Sequence, residues 1–340
     1  MVAYFRLPET MKEWPLPRRI NPHYNDVSAE SADWTRSFKP FGPAAQKAFD
    51  KCDFGLLTAL VYPTQDRDTY RSACDLMNLF FVIDDHTDTL DEANVQMLAD
   101  ISMNALLNPT KLRPDGESII GEITRQFWSR ATRHATPTGR ARFERAWERY
   151  TASVVEQAKD RDRGRMRTVE EYMAVRRLTI GAEPCFALAA LGLSLAQEVY
   201  DHPLLRELQS DVADILIYDN DLVSYNKEQA SGDDLHNIVT IAMHENSQGL
   251  DEALQWVAAR HRERVAHALA IWPRALALSF SPRVDEDLLV YIEHLMNWPR
   301  GSDCWDFESG RYFGEDGLRI QKERVVELSP KKQASVNLLL

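Results

Sequence analysis

The chain has 340 residues, 44% of them hydrophobic, with a formal net charge of -12 and no long Lys/Arg cluster. That length can bury a core as one big domain or as two ordinary ones, and the charge works against binding a nucleic-acid backbone or an anionic membrane. Its 14 glycines, about 4% against a typical ~7%, and its plentiful Ala, Leu, Glu and Arg lean towards an all-α fold.

In chain order, residues 1–40 are rich in Pro, Asn and Ser with little apolar periodicity and read as an ordered or partly ordered N-terminal arm preceding the body. The first nineteen residues hold Pro8, Pro15 and Pro17 among charges and no apolar leader, and no later segment has eighteen uncharged apolar residues. The expectation is a cytoplasmic protein without stable membrane anchoring. Cys52, Cys74, Cys185 and Cys304 are scattered, which argues against a disulfide framework and a structural zinc site.

From Pro43 onward apolar residues recur at helical spacing in 44–61, 67–90, 93–106, 117–135, 138–160, 168–180, 184–196, 203–228, 235–245, 249–276 and 284–298. The breaks are short: Pro63, Pro109 to Gly116, Pro137 with Gly139, Pro203, and Ser231-Gly232-Asp233. No composition shift marks a second domain, so the expected architecture is a single-domain bundle of roughly ten helices over residues 41–320 around a central cavity, followed by a tail at 321–340.

The sharpest local signal is the run Phe80 to Asp88, where an apolar helix ends in Asp84, Asp85 and Asp88. Charges of this kind cannot stay buried unpaired. Asp84 and Asp88 share a helix face with Cβ atoms ~5–6 Å apart, near enough to flank hard divalent cations; a solvated helix end is the alternative. A second stripe, Asn220, Ser224 and Glu228 at i, i+4 and i+8, offers an amide oxygen, a hydroxyl and a carboxylate. Such a set suits a Mg²⁺ that keeps waters and bridges to substrate phosphates, and a polar helix face is again the alternative.

A DDxxD motif followed well downstream by NDxxSxxKE resembles the paired metal-binding signature of class I terpene synthases. The resemblance implies three Mg²⁺ ions, two held by Asp84 with Asp88 and one by Asn220, Ser224 and Glu228, with Lys227 meeting a diphosphate oxygen. Arg176 to Pro184 is similar to the family's effector segment, with Arg177 as diphosphate sensor, Ile180 as linker and Gly181 offering its carbonyl to substrate. Ile180 departs from the acidic or polar linker of some members. Arg311-Tyr312 is similar to the pair that closes over the diphosphate. Phe81 and Trp305 match aromatic positions that line the cyclisation pocket, with core packing as the other reading. His86 reads as a spacer, since hard Mg²⁺ prefers oxygen.

The implied activity is ionisation and cyclisation of a prenyl diphosphate, with farnesyl diphosphate the choice among C10, C15 and C20 chains, and family habit admits a homodimer. Nothing resembles the DxDD acid of protonation-initiated cyclases. A chain-elongating prenyltransferase would ordinarily carry a second aspartate-rich motif where this chain has Asn, Ser and Glu. A non-enzymatic helical scaffold is the reading in which both acidic stripes are merely solvated.

Overall fold

A computed structural model describes residues 3–331. Fifteen α-helices follow one another among them: α1 (Tyr24–Ser37), α2 (Pro43–Lys51), α3 (Phe54–Val61), α4 (Arg67–Thr87), α5 (Glu92–Leu107), α6 (Ile119–Ala131), α7 (Pro137–Asp162), α8 (Val169–Thr179), α9 (Ala182–Ala189), α10 (Gln197–Tyr200), α11 (Pro203–Ser231), α12 (Ile238–Glu245), α13 (Leu250–Leu276), α14 (Pro282–Glu308) and α15 (Gly317–Glu323). Two three-residue strands, β1 (Tyr4–Arg6) and β2 (Val325–Glu327), pair antiparallel with Phe5 opposite Val326. The fold is all-α, and no helix of the described residues is long and apolar enough to cross a membrane.

Local chemistry sets most boundaries. Asp66, Asp91, Ser118 and Thr136 accept main-chain N–H bonds at the starts of α4, α5, α6 and α7, and Thr168 with Glu171 forms a reciprocal capping box on α8. The single helix expected over 44–61 is instead two. Asp53 takes a left-handed conformation at φ 46° and caps α3 through Leu56 N–H, so the chain turns between Cys52 and Phe54.

Three other expectations need correcting. Residues 1–40 contain β1 and α1, and Met11 and Trp14 are buried in the main core. The helix α1 escapes an apolar count because its inward stripe is Val27, Ser31 and Thr35, two of them polar. The last long helix does not stop at 298 but runs through Pro299 to Glu308. An interior proline costs ~3 kcal/mol, and burial of Met296, Trp298, Cys304, Trp305 and Phe307 on α14 offsets it. The segment after 320 is not wholly a tail, since β2 closes the pair with β1; residues 332–340 of that predicted tail lie outside the described residues.

Helices α3, α4, α7, α8, α9, α11 and α14 all contribute side chains to one central cavity of about 560 Å³. Its floor is apolar and aromatic, with Leu57, Met77, Phe80, Tyr150, Leu216 and Trp298. The mouth is polar, because the carboxylate-rich end of α4 and the last turns of α11 meet there.

Candidate active site

The C-terminal end of α4 sets the first half of the mouth. Asp84, Asp85 and Asp88 each place one carboxylate oxygen within 4.8 Å of the others. Arg161 of α7 holds the following turn by donating to the carbonyls of Thr87 at 2.9 Å and Leu90 at 2.6 Å, which would otherwise be open helix ends. Enclosure, followed by the charges of Asp84, Asp233 and Asp85, pushes the Asp88 carboxyl up to about 8. His86 turns away, with its Nε2 donating to the Pro40 carbonyl at 3.0 Å.

Across the mouth, α11 presents Asn220 and Glu228 to the cavity. Ser224 lies between them on the same face, buried, with its hydroxyl 3.3 Å from Asn237 Nδ2. Burial and then Asp221 push the Glu228 carboxyl up to about 7. Carboxyls crowded this far from their ordinary range are groups for which a divalent cation would supply the missing counter-charge. The donors on both sides are oxygen, which fits Mg²⁺ and not a soft metal.

Cations stand around these acids. Arg311 Nη2 lies 3.4 Å from Asp84 Oδ2, and Arg311 Nε is buried with no hydrogen-bond partner. Lys227 lines the cavity and is pushed down by enclosure and by the neighbouring Arg311. Tyr312 accepts a 2.8 Å hydrogen bond from Asn220 Nδ2, which links the segment after α14 to the α11 stripe.

The structure brings Arg176, and not Arg177, to the cavity. Arg176 Nη2 donates to Asn220 Oδ1 at 2.6 Å and to Asp221 Oδ1 at 3.2 Å, and its side chain is 13% exposed. Arg177 instead forms a two-pronged pair with Asp214, at 2.6 and 2.9 Å, on the outer side of α8. Ile180 and Gly181 both line the cavity. Ile180 lies four residues after Arg176 and Gly181 four after Arg177, so helix spacing alone does not choose between the two arginines; the ion pair of Arg177 with Asp214 does. The expected break does occur between α8 and α9: Gly181 adopts φ 75°, which favours glycine, and Phe80 would lie 3.4 Å from an added Cβ.

Phe81 and Trp305 both line the cavity, and both also pack. Phe81 stacks on Phe54 with centroids 3.7 Å apart, and the Arg311 guanidinium sits 4.5 Å above its ring. Trp305 is 2% exposed and donates through Nε1 to the carbonyls of Cys52 at 2.8 Å and Asp53 at 3.1 Å. Both side chains thus face the cavity and pack in the core at once. Sequence reading missed Asp233, Arg161 and Asn237; only Asp233 had a hint, being in the turn that ends α11.

Residues 75–267 match the family model described as terpene synthase family 2, C-terminal metal binding. The chain is similar to sesquiterpene synthase 14 of Postia placenta, 51% identical over 325 residues that cover 96% of this chain and 92% of that one. It is 47% identical over 332 residues to delta(6)-protoilludene synthase 18 of the same fungus, covering 98% and 94%. Among solved structures, hedycaryol synthase in complex with HEPES shares the fold with a TM-score of 0.77 at 22% identity, covering 88% of this chain and 98% of the other. Germacradien-4-ol synthase from Streptomyces citricolor aligns with a TM-score of 0.73 at 25% identity, covering 89% and 98%. Matched over more than half its length by the family model and over nearly all of it by relatives, the chain belongs to the terpene synthase family.

Proposed function

We propose that this enzyme is a sesquiterpene synthase that ionises farnesyl diphosphate in a magnesium-dependent reaction, cyclises the resulting cation and releases diphosphate. The observation that carries the reading is the division of one cavity into a mouth of opposed oxygen sets with neighbouring cations and a floor of apolar and aromatic side chains. Its volume of about 560 Å³ falls within the usual range for small-molecule sites. The C15 choice draws on the names of the relatives, which are sesquiterpene and protoilludene synthases.

Asp84 and Asp88 on one side, with Asn220, Ser224 and Glu228 on the other, would hold three Mg²⁺ ions. Bound there, the metal supplies Lewis-acid stabilisation of the charge on the departing diphosphate. Arg176, Lys227, Arg311 and Tyr312 donate hydrogen bonds to the same oxygens, so that the C–O bond breaks with its electron pair leaving on the diphosphate. The allylic cation left behind is confined by Phe80, Phe81, Trp298 and Trp305, whose ring faces stabilise positive charge and keep water out. Ring closure uses the chain's own double bonds, and the last cation becomes a neutral hydrocarbon by giving a proton to the diphosphate that left it.

Gas-phase product analysis after incubation with C10, C15 and C20 diphosphates tests the proposal. A cyclic C15 hydrocarbon formed only with a divalent cation is expected. A longer prenyl diphosphate formed on adding isopentenyl diphosphate, with no cyclic product, would replace it with chain elongation.

A further inference from the structure

Asn237, in the step that leads into α12, is completely buried and takes no part in the acidic motifs. Its side chain nevertheless reaches back to α11. The amide Nδ2 donates to Glu228 Oε2 at 2.9 Å and to the main-chain carbonyl of Asp221 at 2.9 Å, with Ser224 Oγ at 3.3 Å. The amide Oδ1 accepts the Val239 N–H at 2.9 Å and caps α12. These partners fix the orientation, because a reversed amide would set oxygen against a carbonyl and NH₂ against an N–H. An NH₂ group has two hydrogens, and the two shorter contacts use them, so Ser224 keeps lone-pair capacity for another partner. The next residue tightens the same junction: Ile238 N–H donates to Asp221 Oδ2 at 2.9 Å, and Asp221 also holds Arg176.

Resting on the proposal that Ser224 and Glu228 hold a divalent cation, we infer that Asn237 is the positioning residue that orders both oxygens before the cation arrives. Without it, the Glu228 side chain would have to be ordered at the expense of binding, and one buried carboxylate oxygen would lose its donor. Partners of this kind, one step behind the ligands, typically change metal affinity ~10–100-fold when removed. Asn237 is thus a link between the packing of α12 and the readiness of the α11 stripe.

The test uses Asn237→Ser and, as a second variant, Asn237→Thr. Both keep a side-chain oxygen to cap α12 but are too short to bridge to Glu228. Mn²⁺ binding in the presence of inorganic diphosphate is measured by electron paramagnetic resonance, beside thermal melting of the metal-free proteins and the Mg²⁺ dependence of turnover. The expected result is Mn²⁺ affinity weakened ~10–100-fold, cooperative melting lowered by a few degrees as the buried acceptors lose their donor, and turnover largely recovered at high Mg²⁺. Glu228→Ala is the control. Mn²⁺ affinity within twofold of wild type in the Asn237 variants, with Glu228→Ala impaired, overturns the positioning role. Unimpaired Mn²⁺ binding in Glu228→Ala overturns the underlying ligand reading instead, and the inference falls with it.

Discussion

Replacing Arg176 and Arg177 by lysine, one at a time, separates the cavity from the outer face of α8. Arg176 spans Asn220 and Asp221 and lines the cavity, whereas Arg177 is occupied by Asp214 and its side chain is 40% exposed. A single ammonium cannot reproduce that spread of donors while also meeting a diphosphate. Arg176→Lys therefore forfeits at least one hydrogen bond to a charged group, ~1.5–3 kcal/mol, which corresponds to about ten- to 150-fold in kcat/KM. Arg177→Lys alters a partly exposed pair, and Asp214 keeps Arg264 within 3.4 Å, so its kcat/KM should stay within about threefold of wild type. The assay is steady-state diphosphate release from farnesyl diphosphate, read beside the melting temperature of each variant. Equal losses in the two variants, or a larger one in Arg177→Lys, would refute the assignment of the inward arginine.

The aromatic pair should divide by how much core each residue carries. Phe81→Leu is expected to change the ratio of cyclic to acyclic products with modest destabilisation, because a cation–π contact of ~0.5–2 kcal/mol shifts competing steps about two- to thirty-fold. Trp305→Leu is expected to change products and also lower the melting temperature, since it removes one N–H shared between two carbonyls and vacates a buried site; gas-phase profiles with melts decide both cases. Stability of the metal-free enzyme should fall as pH rises from about 4 to 8. Between the ordinary Asp and Glu values and the raised values of about 8 for Asp88 and about 7 for Glu228, the folded state holds protons that the unfolded chain has released. Melting curves across that range check the sign, and excess Mg²⁺ should remove most of the dependence. Gly181→Ala should lower both stability and turnover, because a left-handed non-glycine backbone costs ~1–2 kcal/mol; unchanged melting would contradict the strain argument.

The two stripes were legible in the sequence as oxygen donors at helical spacing, and the structure brings Asp84, Asn220 and Glu228 to one cavity, a juxtaposition that only the family resemblance had implied. The sequence did not separate Arg176 from Arg177, because neighbouring arginines are identical in composition and each has a cavity-lining residue, Ile180 or Gly181, four positions on; the pairing of Arg177 with Asp214 is visible only in the structure. Asn237 left no trace in the sequence, since its role comes from a contact across thirteen positions of chain to Ser224 that only the packing of α12 on α11 creates. The helix α1 stayed hidden for a related reason. Its buried face uses Ser31 and Thr35, and Ser31 donates to the buried Asp75 at 2.7 Å, so the partner supplies the rationale that the residue types lack.

Diphosphate release from farnesyl diphosphate, measured with and without Mg²⁺ in the wild type and in Asp84→Asn, tests most directly whether the cavity mouth is an ionisation site. The account predicts release in step with formation of a cyclic C15 hydrocarbon in the wild type with Mg²⁺. It predicts none without a divalent cation, and none in Asp84→Asn even though that variant melts near the wild-type temperature. Release that persists without a divalent cation, or in a folded Asp84→Asn protein at the wild-type rate, would contradict it.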